Sequence, residues 1–451
     1  MATIGHHATS LHSAPQSTSG RSGSLAPYLG GALTATYLLI GRWSFERLQH
    51  LADQDFFDAP TSQLRHQVLL ALILVTVAGA PARRRTSSAQ CLRPRQLVPL
   101  WLAFFLFASL TALWSPLGAH TSIKVFDLAS LAVLTLCVAF WTAGDGRDLY
   151  QKAFWITFCA MVAALIALTI AGYGFTDEIR TASLGGGPNV FGRNMAIGFL
   201  GSFFLIRHRL GQYWIVITVL TPLFVLISGS RGALAALVCG ALVYFVTDRA
   251  ALKKRLGMIT AVLCLSGAVL FYSDAGDRAL STYQERILRL TVEERYDSER
   301  TDLAMTAYEM VQKHPVFGAG LASFPLYSTG FYAHNIFLET LSETGGVGLC
   351  LLLLPLIVFV VFLLRHWGQV DRPTVCAFVA AFTHAQFSGD LFDSRAVFVF
   401  AIMASSIVVV KREKSGVGLP AATATRRVGT EAILAPAGLS RTHKAPSLHG
   451  A

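Results

Sequence analysis

Charged side chains are scarce: Asp, Glu, Lys and Arg supply 14% of the 451 residues, where soluble domains carry about 25%. Too few polar groups remain to cover a chain that is 53% hydrophobic, which excludes an ordinary soluble globule. Alternation of apolar and polar residues is missing from the long apolar runs, which excludes a membrane β-barrel. The seven cysteines (Cys91, Cys137, Cys159, Cys239, Cys264, Cys350 and Cys376) form no C-x-x-C pair and no metal-ligand spacing. Most sit inside apolar runs and read as small core hydrophobes. There is no H-E-x-x-H helix, and His314 and His334 are twenty residues apart, so no metal is expected. No internal repeat is visible, which tells against a transporter or flippase built from repeated halves.

What the chain does have is apolar runs. They lie near 25–40, 67–80, 98–116, 125–143, 153–171, 189–206, 213–228, 232–247, 256–272, 345–364, 374–388 and 396–410. Many approach the ~20 residues that span a bilayer and several, 67–80 above all, are short of it, so the expected fold is an all-α polytopic transmembrane bundle of about 12 spans. The expected organisation is a disordered cytoplasmic tail at 1–24, nine helices over 25–272, a large partly helical outer loop at 273–344, three helices over 345–410, and a second disordered tail at 411–451. Residues 1–24 are rich in Ser, Thr, Gly and His and lack the pattern of a signal peptide.

The formal net charge of +11 invites a nucleic-acid partner, but the positive-inside rule accounts for it better. With the N-terminus in the cytoplasm, the inside loops hold about twice the Lys and Arg of the short outside loops. The outside set is Arg42, Arg47, Arg65, Lys124, Arg180, Arg231 and Arg395. This orientation puts both termini in the cytoplasm and the segments 172–188, 229–231 and 273–344 on the outer face. Those three segments also carry the unusual chemistry.

In the long loop, Ala304, Ala307, Tyr308 and Val311 repeat at helical spacing, and Pro315 should stop that helix. Beyond it come Pro315, Gly318 and Gly320, then His334-Asn335, Glu339, Glu343, Gly345 and Gly348. A histidine where an outer loop meets a span can serve as a base near neutral pH. Glu339 and Glu343 are four residues apart and share a helix face, where unpaired carboxylates at membrane depth would be costly. Arg231 lies in Ser228-Gly229-Ser230-Arg231-Gly232, a break between two apolar runs. Glycines there let backbone approach a ligand, and a guanidinium grips phosphate in bidentate fashion. Arg300 leads the loop helix. Arg180 precedes Gly185-Gly186-Gly187-Pro188-Asn189, read as a tight turn re-entering the membrane. Arg193, one turn into the next span, needs a carboxylate, a carbonyl or an anionic ligand. Asp53-Gln54-Asp55 matches the D-x-D of nucleotide-sugar enzymes but falls in an outer loop, where nucleotide sugars are absent.

The spacing from His334-Asn335 to Gly345 and Gly348, with Pro315-x-x-Gly318-x-Gly320 upstream, resembles the O-antigen ligase and O-antigen polymerase family. The likeness is best over roughly 180 to 350. It implies an integral membrane glycosyltransferase of the bacterial inner membrane, active in lipopolysaccharide or polysaccharide biosynthesis, with its active site facing the periplasm. The implied donor is a glycan on an undecaprenyl-diphosphate carrier; the acceptor is lipid A-core or another glycan. Membrane lipids surround the enzyme, and no cofactor, metal or nucleic acid is implied. By position, His334 corresponds to the family's acceptor-activating histidine, and Arg231 and Arg300 to its diphosphate-binding arginines. Asn335, Gly345 and Gly348 match the motif around the histidine. Supporting positions are Glu339, Arg180, Arg193, Asn189, Ser230, Gly318 and Gly320. Leu349-Cys350 stand where ligases often carry Thr-Thr, which keeps a polymerase in view. A protein O-oligosaccharyltransferase is a further alternative.

Overall fold

The computed structural model describes residues 25–40, 60–84, 94–144, 146–177, 180–183, 187–247, 300–328, 330 and 332–406, with single residues between 257 and 289. The two expected tails, Asp53-Gln54-Asp55, most of the run at 256–272 and most of 273–299 lie outside the described residues.

The described chain is built of α-helices. In order they are α1 (Ala26–Leu39), α2 (Pro60–Arg84), α3 (Pro94–Leu110), α4 (Thr121–Thr142), α5 (Arg147–Leu168), α6 (Gly187–Arg207), α7 (Ile215–Ile227), α8 (Arg231–Thr247), α9 (Arg300–Lys313), α10 (Ile336–His366), α11 (Arg372–His384) and α12 (Arg395–Ser405). Several begin at or beside a proline, Pro27, Pro60, Pro94 and Pro373, whose missing N–H costs nothing in a first turn. Each expected apolar run outside 256–272 overlaps one of these helices, though 385–388 lies past the end of α11 and 407–410 lies outside the described residues. Five helical segments among the described residues are long and apolar enough to cross a membrane: Gln96–Trp114, Thr121–Thr142, Arg147–Tyr173, Gly187–Arg207 and Ile336–His366.

Between α5 and α6 the chain forms a small antiparallel hairpin, β1 (Gly174–Asp177) with β2 (Arg180–Ser183), in which Asp177 faces Arg180. The sequence reading had expected only a re-entrant turn here. Residues 187–189 are instead the first residues of α6, entered through Gly187 at φ +71°.

The core is centred on α12. Every residue from Arg395 to Ser405 is buried, as befits a helix that is apolar nearly all round. Phe400 stacks on Trp155 of α5 at 5.5 Å, and Phe398 meets Trp101 of α3 edge-on at 4.8 Å. Arg395 opens this helix and caps the end of α1. It donates to the carbonyls of Tyr37 (3.3 Å), Leu38 (3.0 Å) and Ile40 (2.9 Å), groups that a helix C-terminus leaves unsatisfied. Arg65 is likewise buried and pairs with Asp127 of α4 at 3.1 Å. Arg65, Lys124 and Arg395, counted from sequence as charges of outer loops, are therefore helix residues engaged in ion pairs. The expected cysteine burial holds for Cys137, Cys159 and Cys376, whereas Cys264 and Cys350 are exposed.

The loop helix α9 stops two residues before Pro315, as expected. Its buried face is Leu303, Ala307 and Met310, and Tyr308 is exposed. The face is rotated from the sequence reading because these residues pack on Phe324 and Ala333 of the following loop.

Candidate active site

Asn335 begins the site by ending the loop. Its side-chain oxygen accepts from the N–H groups of Phe337 (3.0 Å) and Leu338 (3.1 Å), capping α10. Its Nδ2 donates to the carbonyl and the side-chain oxygen of Gln386 at 3.3 and 3.2 Å. The N–H of Ile336 donates to the Ala385 carbonyl at 3.0 Å. The His334-Asn335 segment is thus fastened to the end of α11.

That fastening holds His334 at φ +55°, a left-handed conformation rare for a bulky side chain. Its ring meets Tyr332 edge-on at 4.6 Å. Its Nδ1 is buried without a hydrogen-bond partner among the described residues. Burial, and then the Arg300 guanidinium, push its pKa down to about 4, against an opposing pull from Asp393. The imidazole is therefore neutral at neutral pH.

Arg300 is the first residue of α9, and its guanidinium lies 5.9 Å from the Phe387 ring centre. Phe387 also touches α8. A Cβ placed on Gly232 would come within 2.8 Å of Phe387 Cβ and 3.8 Å of His384 Cδ2. The first turn of α8, which begins with Arg231, thus abuts the turn 384–387, beside which the Arg300 guanidinium lies and to which Asn335, next to His334, is bonded. Ser230 caps that turn by accepting from the Ala233 N–H at 3.3 Å, and Gly229, at φ +61°, allows the break from α7.

The base of the site is tied to α6. His384 Nε2 donates to the Asn189 carbonyl at 3.1 Å, and Arg193 donates to the Asp393 carbonyl at 2.7 Å. Arg193 has thus found the carbonyl its burial demanded. Arg180 is placed only by its strand position, opposite Asp177.

The glycines at 318, 320 and 345 sit where the loop crosses α10. They lock the loop onto α10. The N–H groups of Ala319 and Gly320 donate to Ser342 and Glu343 carbonyls (3.0 and 2.9 Å), and those of Gly346 and Val347 donate to Pro315 and Val316 carbonyls (2.9 and 3.1 Å). α10 breaks its helical geometry at Gly345, with φ +69° and ψ −170°. A Cβ there would lie 2.5 Å from the Gly318 nitrogen, and one on Gly318 would lie 2.3 Å from the Glu343 carbonyl carbon. Only glycine permits so close an approach of two backbones. Gly348 instead faces Thr344 and Phe107 of α3.

Glu339 and Glu343 are not free carboxylates beside the histidine. Both pair with Lys124 of α4, at 2.6 and 3.2 Å. Glu343 also accepts from the N–H groups of Ala322 (3.0 Å) and Phe324 (3.4 Å), so it holds the loop. The sequence reading missed Lys124 in this role, and missed the segment from His384 to Asp393 altogether. A signal was present: Asp390, Asp393 and Arg395 interrupt two apolar runs, and charge at membrane depth marks a paired or functional group. Among the described residues, no cluster of three His, Cys, Asp or Glu side chains is placed to hold a metal ion.

Residues 216–353 match the family model described as O-antigen ligase. This segment of the chain is similar to the O-antigen ligase family. It contains Arg231, Arg300, His334, Gly345 and Gly348, the positions that carried the resemblance. The match supports membrane glycan transfer of the ligase or polymerase type in general. No curated protein matches the chain. Arg193, His384 and Asp393 of the site lie outside the matched segment, on α6 and on the segment bonded to it.

Proposed function

We propose that the chain transfers a glycan from undecaprenyl diphosphate to an acceptor sugar hydroxyl at the outer face of the inner membrane. It does so in a bundle of about 12 spans, with 273–344 as a periplasmic loop and both termini in the cytoplasm. The observation that carries this reading is the meeting of the α8 start, Arg300 and His334 around the turn 384–387. In the proposed step the acceptor oxygen forms a bond to the anomeric carbon of the donor sugar. The bond from that carbon to the diphosphate oxygen breaks, and undecaprenyl diphosphate leaves. The acceptor proton passes to His334. Arg231 and Arg300 hold the diphosphate and offset the charge that grows on it.

The low pKa of His334 fits a site that is tuned by its donor. A histidine held near 4 is neutral but a weak base. Bound diphosphate would neutralise the Arg300 charge that depresses it, so the imidazole gains basicity only when donor is in place. Asn335 orients the histidine through its cap and its hold on Gln386. Lys124, Glu339, Glu343 and the glycines fix the loop, while Arg193, Asn189 and Ser230 support the base. The acceptor of choice is lipid A-core, which makes the protein a ligase. The second reading, a polymerase joining carrier-linked repeat units, is favoured by Leu349-Cys350 after Gly348.

The test is His334→Ala in cells. Membrane abundance should stay normal, surface glycan should vanish, and carrier-linked glycan should accumulate, since loss of a general base costs about 10²–10⁴-fold. Unchanged surface glycan at full abundance would remove His334 from the mechanism.

A further inference from the structure

The exposed apolar face of α3 continues past the end of the helix. Leu110 and Leu113 are exposed three residues apart where α3 passes into a single 3₁₀ turn, and Leu117, in the turn that follows, is wholly open. The first two lie at the end of Gln96–Trp114, a segment apolar enough to cross a membrane, and the third lies just beyond it. The loop after α9 is pinned at that end. Ser115 Oγ donates to the Leu321 carbonyl at 2.7 Å, and a Cβ on Gly320 would come within 2.5 Å of Ser115 Cα. Trp114 meets Phe317 edge-on at 6.3 Å. On this loop Val316 and Phe317 are 53% and 56% exposed. The backbone beneath them is fixed, because the Pro315 and Val316 carbonyls accept from the N–H groups of Gly346 and Val347 on α10.

We infer that Val316 and Phe317, with Leu113, Trp114 and Leu117, dip into the headgroup–acyl boundary of the bilayer as a lipid-docked edge of the site. Three observations select lipid as the occupant. The patch adjoins the exposed leucines at the end of a segment long and apolar enough to cross a membrane. It pairs a tryptophan with a phenylalanine, the residues favoured at that depth. It is preceded by exposed Lys313 and His314, which suit anionic headgroups. The consequence is mechanical. The same loop is gripped on its other side by Glu343, one turn below Glu339 on the helix that starts at His334. Docking the loop in lipid sets the depth of the histidine relative to the bilayer. The inference needs only an embedded chain, so its failure would leave the transfer reaction standing, and the converse also holds.

The experiment places a photoreactive benzoyl-phenylalanine at 317, and separately at 316, in the full chain reconstituted into vesicles of phosphatidylethanolamine and phosphatidylglycerol. Exposed Glu309 on α9 is the comparison position. After irradiation, mass spectrometry should find phospholipid adducts at 317 and 316 several-fold above those at 309. Equal adducts at 309 and 317 would overturn the inference. So would capture of a second copy of the chain at 317 in place of lipid.

Discussion

Replacing His334 by glycine and by alanine separates its chemistry from its conformation. The residue sits at φ +55°, where an L side chain costs roughly 1–2 kcal/mol and glycine costs almost nothing. Its Nδ1 is buried without a partner among the described residues, so neither substitution breaks a hydrogen bond described there. His334→Gly should therefore be more stable than His334→Ala by about 1 kcal/mol, less the greater entropy glycine loses on folding. In a chain of this size that is a difference of up to about 2 °C in Tm, read by thermal unfolding in detergent. Both variants should lose transfer alike, about 10²–10⁴-fold, in an assay with purified carrier-linked glycan. Alanine clearly exceeding glycine in Tm would refute the left-handed backbone at 334. Glycine retaining near-normal transfer would refute the histidine as base, whatever the Tm values show.

The pH profile gives an independent reading. Neutral imidazole is the active form, so kcat/KM should fall on the acid side near pH 4; Arg300→Gln removes a cause of the depression and should move that limb upward in whatever activity remains. Arg231→Lys should insert normally yet lose most activity, because lysine keeps the charge but lacks the planar fork that grips two phosphate oxygens; near-normal surface glycan on complementation would make Arg231 a topology signal only. Lys124→Met strands Glu339 and Glu343, at a cost of about 3–5 kcal/mol typical of a broken buried pair. Adding Glu339→Gln and Glu343→Gln should recover part of the lost Tm, and no recovery would argue against the charge network.

The sequence alone determined that the chain is helical and membrane-embedded, because burying an apolar run needs only length and composition. It also determined the extent of the loop helix up to Pro315, since proline acts on its immediate neighbours. The residues Arg231, Arg300 and His334 were legible as special because charge and glycine stand out in an apolar chain. What each of them touches was not legible. The turn at 384–387, where the starts of α8 and α9 and the His334 loop meet, lies about fifty residues beyond the histidine, and no local pattern links the two. Lys124 looked like a loop charge because its partners are on α10, more than two hundred residues away. The glycines at 318 and 345 stood out only as motif positions near the histidine. Only the tertiary structure decided that they are where two backbones cross, because a glycine that meets a ligand and one that meets its own chain satisfy the same steric need.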